Sequence, residues 1–180
     1  MTWIQTYTGR KFYPLDPHAE DVCIEDIAHA LALKCRYTGH CREFFSIAQH
    51  SVMVSRMVPE SDAICGLLHD ATEAYLPDVA RPIKDQIWGL TGILSERIEV
   101  HEKRLMKVIY VGLGIRQRLR DVTSADLCCL ERERRQLLGP PPWEWSTAKY
   151  WDGDTTPIVC WDWREAEKKF LERWEELRLA

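Results

Sequence analysis

Apolar residues recur at helical spacing along most of this chain, and proline or glycine closes nearly every run. A period of 3.6 points to short amphipathic helices, which must bury their stripes against one another. "IEDIAHALALKC" puts Ile24, Ile27, Ala28, Leu31 and Cys35 on one face, so a helix is predicted over 24–35. "RYTGHCREF" then reads as a loop, because Thr38-Gly39 interrupts the pattern. "SIAQ" at 46–49 is a capping box in which Ser46 caps the next helix and Gln49 reaches back to it. That helix runs to Val58, and Pro59 stops it. Further helices are predicted over 60–75, 93–110 and 115–138, with a loop over 76–92 and a turn at "VGLG". "GPPPWEW" ends the fifth helix, and Asp162 can cap a last one from 163. Alternation around Gly9 predicts a short strand or hairpin at the N-terminus. The expected fold is an all-α bundle, one domain over 1–180 with that small N-terminal strand or hairpin.

Composition narrows the function. The chain has 180 residues, 46% apolar and 29% charged, which is ordinary for a globular domain. A net charge of −4 counts against a stable nucleic-acid complex, which needs a basic face. No apolar run reaches membrane-spanning length, and the first residues lack a signal-peptide core, so a cytoplasmic protein without membrane contact is expected. Seven cysteines form no CxxC pair and read as reduced core residues. Six of the eight tryptophans lie between 143 and 174, which predicts a packed C-terminal extension rather than a linker. So much apolar surface also suggests a homo-oligomer.

Polar residues sit where the helical pattern would place core. At 100° per residue, His50 lies inside the stripe of Ile47, Met53, Val54 and Met57. Asp126 lies inside the stripe of Leu119, Val122, Cys129 and Leu130, mid-helix on the predicted bounds. In "GLLHDATEAYLPD", His69, Asp70 and Glu73 share the side opposite Ala63, Ile64, Leu67 and Leu68. A buried carboxylate needs a cation or strong donors. Core ion pairs are one solution. A divalent metal held by His50, His69, Asp70 and Asp126 in a groove between helices is the more economical one. The ion would be Mn, Co, Fe, Ni, Zn or Mg.

In this order, "AQHS" (48–51), "LLHDATEAYLPD" (67–78), "RPIK" (81–84) and "SADLCCLERE" around Asp126 resemble the H…HD…D signature of HD-domain phosphohydrolases. "RYTGHCREFFSIAQHS" (36–51) resembles the "RFNGH…YSVAQHS" segment of the 5′-deoxynucleotidase-like and phage-type deoxynucleotide phosphohydrolases, with Tyr37 and Thr38 where that pattern has Phe and Asn. The resemblance covers about residues 5–135. It implies an HD fold and His50, His69, Asp70 and Asp126 as metal ligands. Glu73 is similar to the family's catalytic carboxylate, and Asp78 to its sugar-recognising one. Arg36 and Lys84 would contact phosphate or base, and Gln49 and His40 would be substrate or supporting contacts.

The implied activity is metal-dependent hydrolysis of the 5′ phosphoester of a deoxynucleotide, in bacterial or phage-infected cytosol. The substrate is either a monophosphate, giving nucleoside and phosphate, or a triphosphate such as dATP, giving nucleoside and triphosphate. A catalytically inactive nucleotide-sensing HD domain and another HD phosphodiesterase are the alternatives.

Overall fold

The capping chemistry read in the sequence places the helix starts. A computed structural model describes residues 2–77, 92–115 and 121–179, with the side chains of 92–99 left out. The described residues are mostly helical: α1 Ile24–Leu33, α2 Ile47–Met57, α3 Ala63–Leu68, α4 Gly92–Gly112, α5 Thr123–Leu137 and α6 Trp163–Leu179. Ser46 caps α2 by accepting the Gln49 amide N–H at 3.1 Å, and Asp162 caps α6 by accepting from Glu165 at 2.9 Å. Strands β1 (Ile4–Gln5) and β2 (Lys11–Phe12) form one antiparallel hairpin with Ile4 opposite Phe12. Its turn uses Gly9 at φ +84°.

The chain forms two compact units: Met1–Ala30 with Ala71–Arg118, and Leu31–Asp70 with Leu119–Ala180. In the first, buried Asp26 near the start of α1 anchors the hairpin. It accepts from the Thr8 N–H at 2.7 Å and the Thr8 hydroxyl at 2.9 Å. Phe12 is fully buried and stacks on Tyr75 with ring centres 3.8 Å apart. Leu105 and Ile109 of α4 supply further core.

The second unit is built around α2, which packs against α3, α5 and α6. Phe45, Ile47, Val52, Val54, Leu67, Leu68, Phe170 and Trp174 are among its core. Helices α2 and α3 approach through Gly66, where an added Cβ would stand 2.8 Å from Ser55 Cα. The C-terminal segment is laced onto this unit. Gln136 donates to Thr156 O at 3.0 Å and accepts from Ile158 N–H at 2.8 Å. Arg135 stacks on Trp151 at 3.8 Å, and Lys169 lies 4.9 Å from the Trp161 ring centre.

Three local expectations are corrected. The helix predicted over 60–75 is in pieces: a 3₁₀ turn at Glu60–Asp62, α3, a turn at His69-Asp70 and a 3₁₀ turn at Ala71–Ala74. Short Ser and Asp side chains after Pro59 favour the tight turn, and the α-helical register ends before the polar pair. The helix predicted from 115 begins at Thr123, so Asp126 stands in the first turn of α5 rather than mid-helix; residues 116–120 lie outside the described set. The Gln49 side chain does not reach back to Ser46. Its amide donates to Val159 O at 2.8 Å and accepts from Trp161 N–H at 2.9 Å. The tail backbone takes both ends of this buried amide, so the cap rests on Ser46 alone. All seven cysteines are free. Among the described residues no helix is long and apolar enough to cross a membrane.

Candidate metal centre

Helices α2, α3 and α5 each bring one polar group to the same point. His50 sits in the middle of α2 and is completely buried. His69 follows the last residue of α3, so the α2–α3 contact at Gly66 carries it toward His50. Asp126 comes from the first turn of α5. His50, His69 and Asp126 form a cluster that can hold a metal ion, with ligand atoms all within 4.8 Å of one another.

Three of the five donor separations are those of neighbouring ligands on one ion, and two are wider. His50 Nε2 lies 3.2 Å from His69 Nε2 and 3.1 Å from Asp126 Oδ1, and His69 Nε2 lies 3.9 Å from Asp126 Oδ1. Asp70 joins them: its Oδ2 is 3.2 Å from His69 Nε2 and 3.8 Å from His50 Nε2. Neighbouring donors about 2.0–2.2 Å from one ion stand about 2.8–3.6 Å apart in octahedral or tetrahedral arrangements.

Hydrogen bonding fixes which nitrogens face inward. His69 Nδ1 is 2.8 Å from the carbonyl of Gly66, which can only accept, so Nδ1 carries the proton. His50 Nδ1 lies 2.6 Å from Glu133 Oε1. The other Glu133 oxygen accepts from Arg36 Nε at 3.0 Å and from the Tyr37 hydroxyl at 2.7 Å. Glu133 is therefore an acceptor and His50 Nδ1 its donor. Both neutral rings would then turn Nε2 lone pairs toward each other at 3.2 Å, an arrangement that needs a shared proton or a cation.

The electrostatics carry the same demand. Burial pulls the His69 imidazole down, but Asp70 and Asp126 outweigh it and push the pKa up to about 9. Burial pushes the Asp70 carboxyl up, yet His69, His50 and Arg36 hold it well below the usual carboxylate range. Asp126 and Glu133 are lowered in the same way, against burial, by His50 and by Arg36 with His50 respectively. Three ionised carboxylates face the Arg36 guanidinium and the protonated His69, and a divalent ion would take the place of the His69 proton.

No family model matches the chain. It is 38% identical over 138 residues to the uncharacterized protein YfdR of Escherichia coli, covering 76% of this chain and 73% of YfdR. It is 30% identical over 151 residues to the uncharacterized protein RCAP_rcc00048 of Rhodobacter capsulatus, covering 76% and 74% of the two chains. The chain belongs to the YfdR family.

For this family member the structure sorts the sequence-derived candidates. His50, His69, Asp70 and Asp126 converge, and Arg36 lies beside them with Nη1 3.5 Å from Asp70 Oδ2. Arg36 was expected at phosphate or base; here its Nε and Nη1 are directed at Glu133 and Asp70. Gln49, expected as a substrate or supporting contact, is held by the tail backbone on both sides of its amide. His40 is exposed at the end of the Tyr37–Gly39 turn. Glu73 is half-buried in the Ala71–Ala74 turn and belongs to the other compact unit. Asp78 and Lys84 lie outside the described residues.

Sequence reasoning missed Glu133. Asp126, expected to be buried, keeps 31% of its side chain exposed, whereas Glu133 keeps none. Glu133 stands seven residues after Asp126, two helical turns along the same face of α5. Its place inside the charged run "ERERRQ" hid it, because such a run ordinarily marks a solvated face.

Proposed function

We propose that this chain is a metal-dependent nucleotide phosphohydrolase of the HD-domain type, cleaving the 5′ phosphoester of a deoxynucleotide. One observation carries the reading. His50, His69 and Asp126 form one cluster, and Asp70 Oδ2 lies 3.2 Å from His69 Nε2 and 3.8 Å from His50 Nε2; these are the four positions of the H…HD…D signature. Nitrogen and carboxylate oxygen donors suit a first-row divalent ion, and these four residues would hold it. When bound, such an ion neutralises phosphoryl oxygens and makes hydroxide available near neutral pH.

The protein's own groups supply the rest. Asp70 and Asp126 present anionic oxygens, and Gly66 O keeps the His69 ring turned inward. Glu73 follows the HD pair in sequence, and its similarity to the family's catalytic carboxylate gives it the role of taking or orienting the proton of the attacking water. Asp78 and Lys84 keep, on the same similarity, their assignments to sugar and phosphate. A monophosphate and a triphosphate substrate both fit, because the bond broken is the same ester at the 5′ position.

Two measurements on purified protein test the reading: metal content, and product analysis by phosphorus NMR with added Mn²⁺ or Co²⁺. One sample receives dAMP and the other dATP. Orthophosphate from dAMP, or intact triphosphate from dATP, is expected, and Glu73→Ala is expected to keep the metal and lose the rate. Protein that takes up metal and turns over neither nucleotide would overturn the hydrolase assignment. Protein that takes up no metal would overturn the centre itself.

A further inference from the structure

The metal ligands account for one side of the cluster. Behind it lies a second layer that the proposed chemistry does not use. Glu133 is completely buried, yet three polar contacts converge on it: His50 Nδ1 at 2.6 Å on Oε1, and Arg36 Nε at 3.0 Å and the Tyr37 hydroxyl at 2.7 Å on Oε2.

The loop that delivers Arg36 and Tyr37 is strained. Tyr37 and Thr38 both adopt left-handed backbone, at φ +55° and +53°, before Gly39 at +80°. A β-branched residue there is an outlier, so the surroundings must hold it. The hold is visible. Arg36 N–H donates to Phe45 O at 2.9 Å, and the Tyr37 side chain ends on Glu133. The residues at this turn put two donors on one buried carboxylate.

We propose that Glu133, held by Arg36 and Tyr37, is the positioning residue of the metal centre. It fixes the His50 ring with Nδ1 as donor and Nε2 turned inward, and so sets the affinity for the ion. Arg36 ties this layer to a ligand, because its Nη1 also reaches Asp70 Oδ2 at 3.5 Å. Carboxylates that accept from a metal-ligating histidine orient the ring and raise its basicity, and their loss typically costs 10–100-fold in metal affinity. The inference rests on the metal-centre reading, and the experiment separates the two.

Wild type, Glu133→Gln and Tyr37→Phe are compared by Zn²⁺ competition titration and by NMR of ¹⁵N-histidine-labelled protein. His50→Asn identifies the His50 signals. Glu133→Gln is expected to lose about 10–100-fold in Zn²⁺ affinity, and Tyr37→Phe to lose less. Both are expected to shift the hydrogen-bonded His50 Nδ1 proton, which a merely structural role at a distance would not move. Variants that fold, bind Zn²⁺ like wild type and keep that resonance would overturn the proposal. If Glu133→Gln does not fold, Tyr37→Phe decides. If wild type binds no Zn²⁺, the metal reading fails by itself. The Nδ1 resonance then decides alone whether Glu133 positions His50.

Discussion

Replacing Arg36 by methionine separates two roles for this residue. A hook for substrate phosphate contributes nothing to the stability of the free protein. An ion-pair partner of Glu133 and Asp70 contributes a great deal. The Arg36 side chain keeps only 14% of its exposure, and Glu133 behind it keeps none. Arg36→Met therefore leaves the fully buried Glu133 carboxylate without its cation, while Asp70 keeps His69 at 3.2 Å. Breaking a buried pair by removing one partner costs about 3–5 kcal/mol. His50 and Tyr37 still bond Glu133, which favours the lower figure. For a chain of this length, about 3 kcal/mol lowers the midpoint of thermal unfolding by roughly 6–12 °C. The assay is circular dichroism during heating, in chelator and again in saturating Zn²⁺. The deficit is expected in chelator and should narrow with the ion, whose charge serves the same carboxylates. A variant that melts within 2 °C of wild type in chelator, a change on the order of 1 kcal/mol or less, would refute the ion-pair reasoning and return Arg36 to the substrate.

Three other outcomes are expected. Gln49→Leu removes both amide bonds to the tail, costs about 1–2 kcal/mol and speeds proteolysis between residues 150 and 162; an unchanged digestion pattern would count against the clamp. Gly66→Ala drives a Cβ against the Ser55 backbone, costs about 1–3 kcal/mol and weakens Zn²⁺ binding by moving His69 off His50, which paired melting and titration curves would test. The pH dependence has opposite signs with and without metal. His69 is raised from 6.5 to about 9 in the metal-free protein, so its contribution to stability is complete below 6.5 and is lost as pH rises to about 9. Across that window melting in chelator falls, while Zn²⁺ affinity rises because the ion must displace that proton. Two flat profiles would contradict the charge balance described for the cluster.

Much of the local structure was legible because its causes are local. Ser46, Pro59 and Asp162 act on residues within one turn, so the bounds of α2 and the start of α6 follow from side chains a reader of the sequence can see. The same holds for His50 in its apolar stripe, where periodicity alone places it in the core. Register was less legible. Whether 60–75 continues as one α-helix depends on small differences between α and 3₁₀ backbone, which packing settles.

What the sequence determined by itself was a helical chain with one histidine and one aspartate inside apolar stripes, and a His-Asp pair on the polar side of the helix between them. What only tertiary structure decided was who stands behind them. Glu133, Arg36 and Gln49 are all polar residues with functional-looking neighbours, and nothing in their spacing distinguishes a solvated carboxylate from a buried one. The packing of α5 on α2 removes water from Glu133 and leaves part of Asp126 exposed. The tail takes the Gln49 amide, and the left-handed turn at Tyr37-Thr38 aims Arg36 at two carboxylates. Burial and hydrogen-bond partnership are properties of contacts between segments far apart in sequence, and periodicity within one helix carries no record of them.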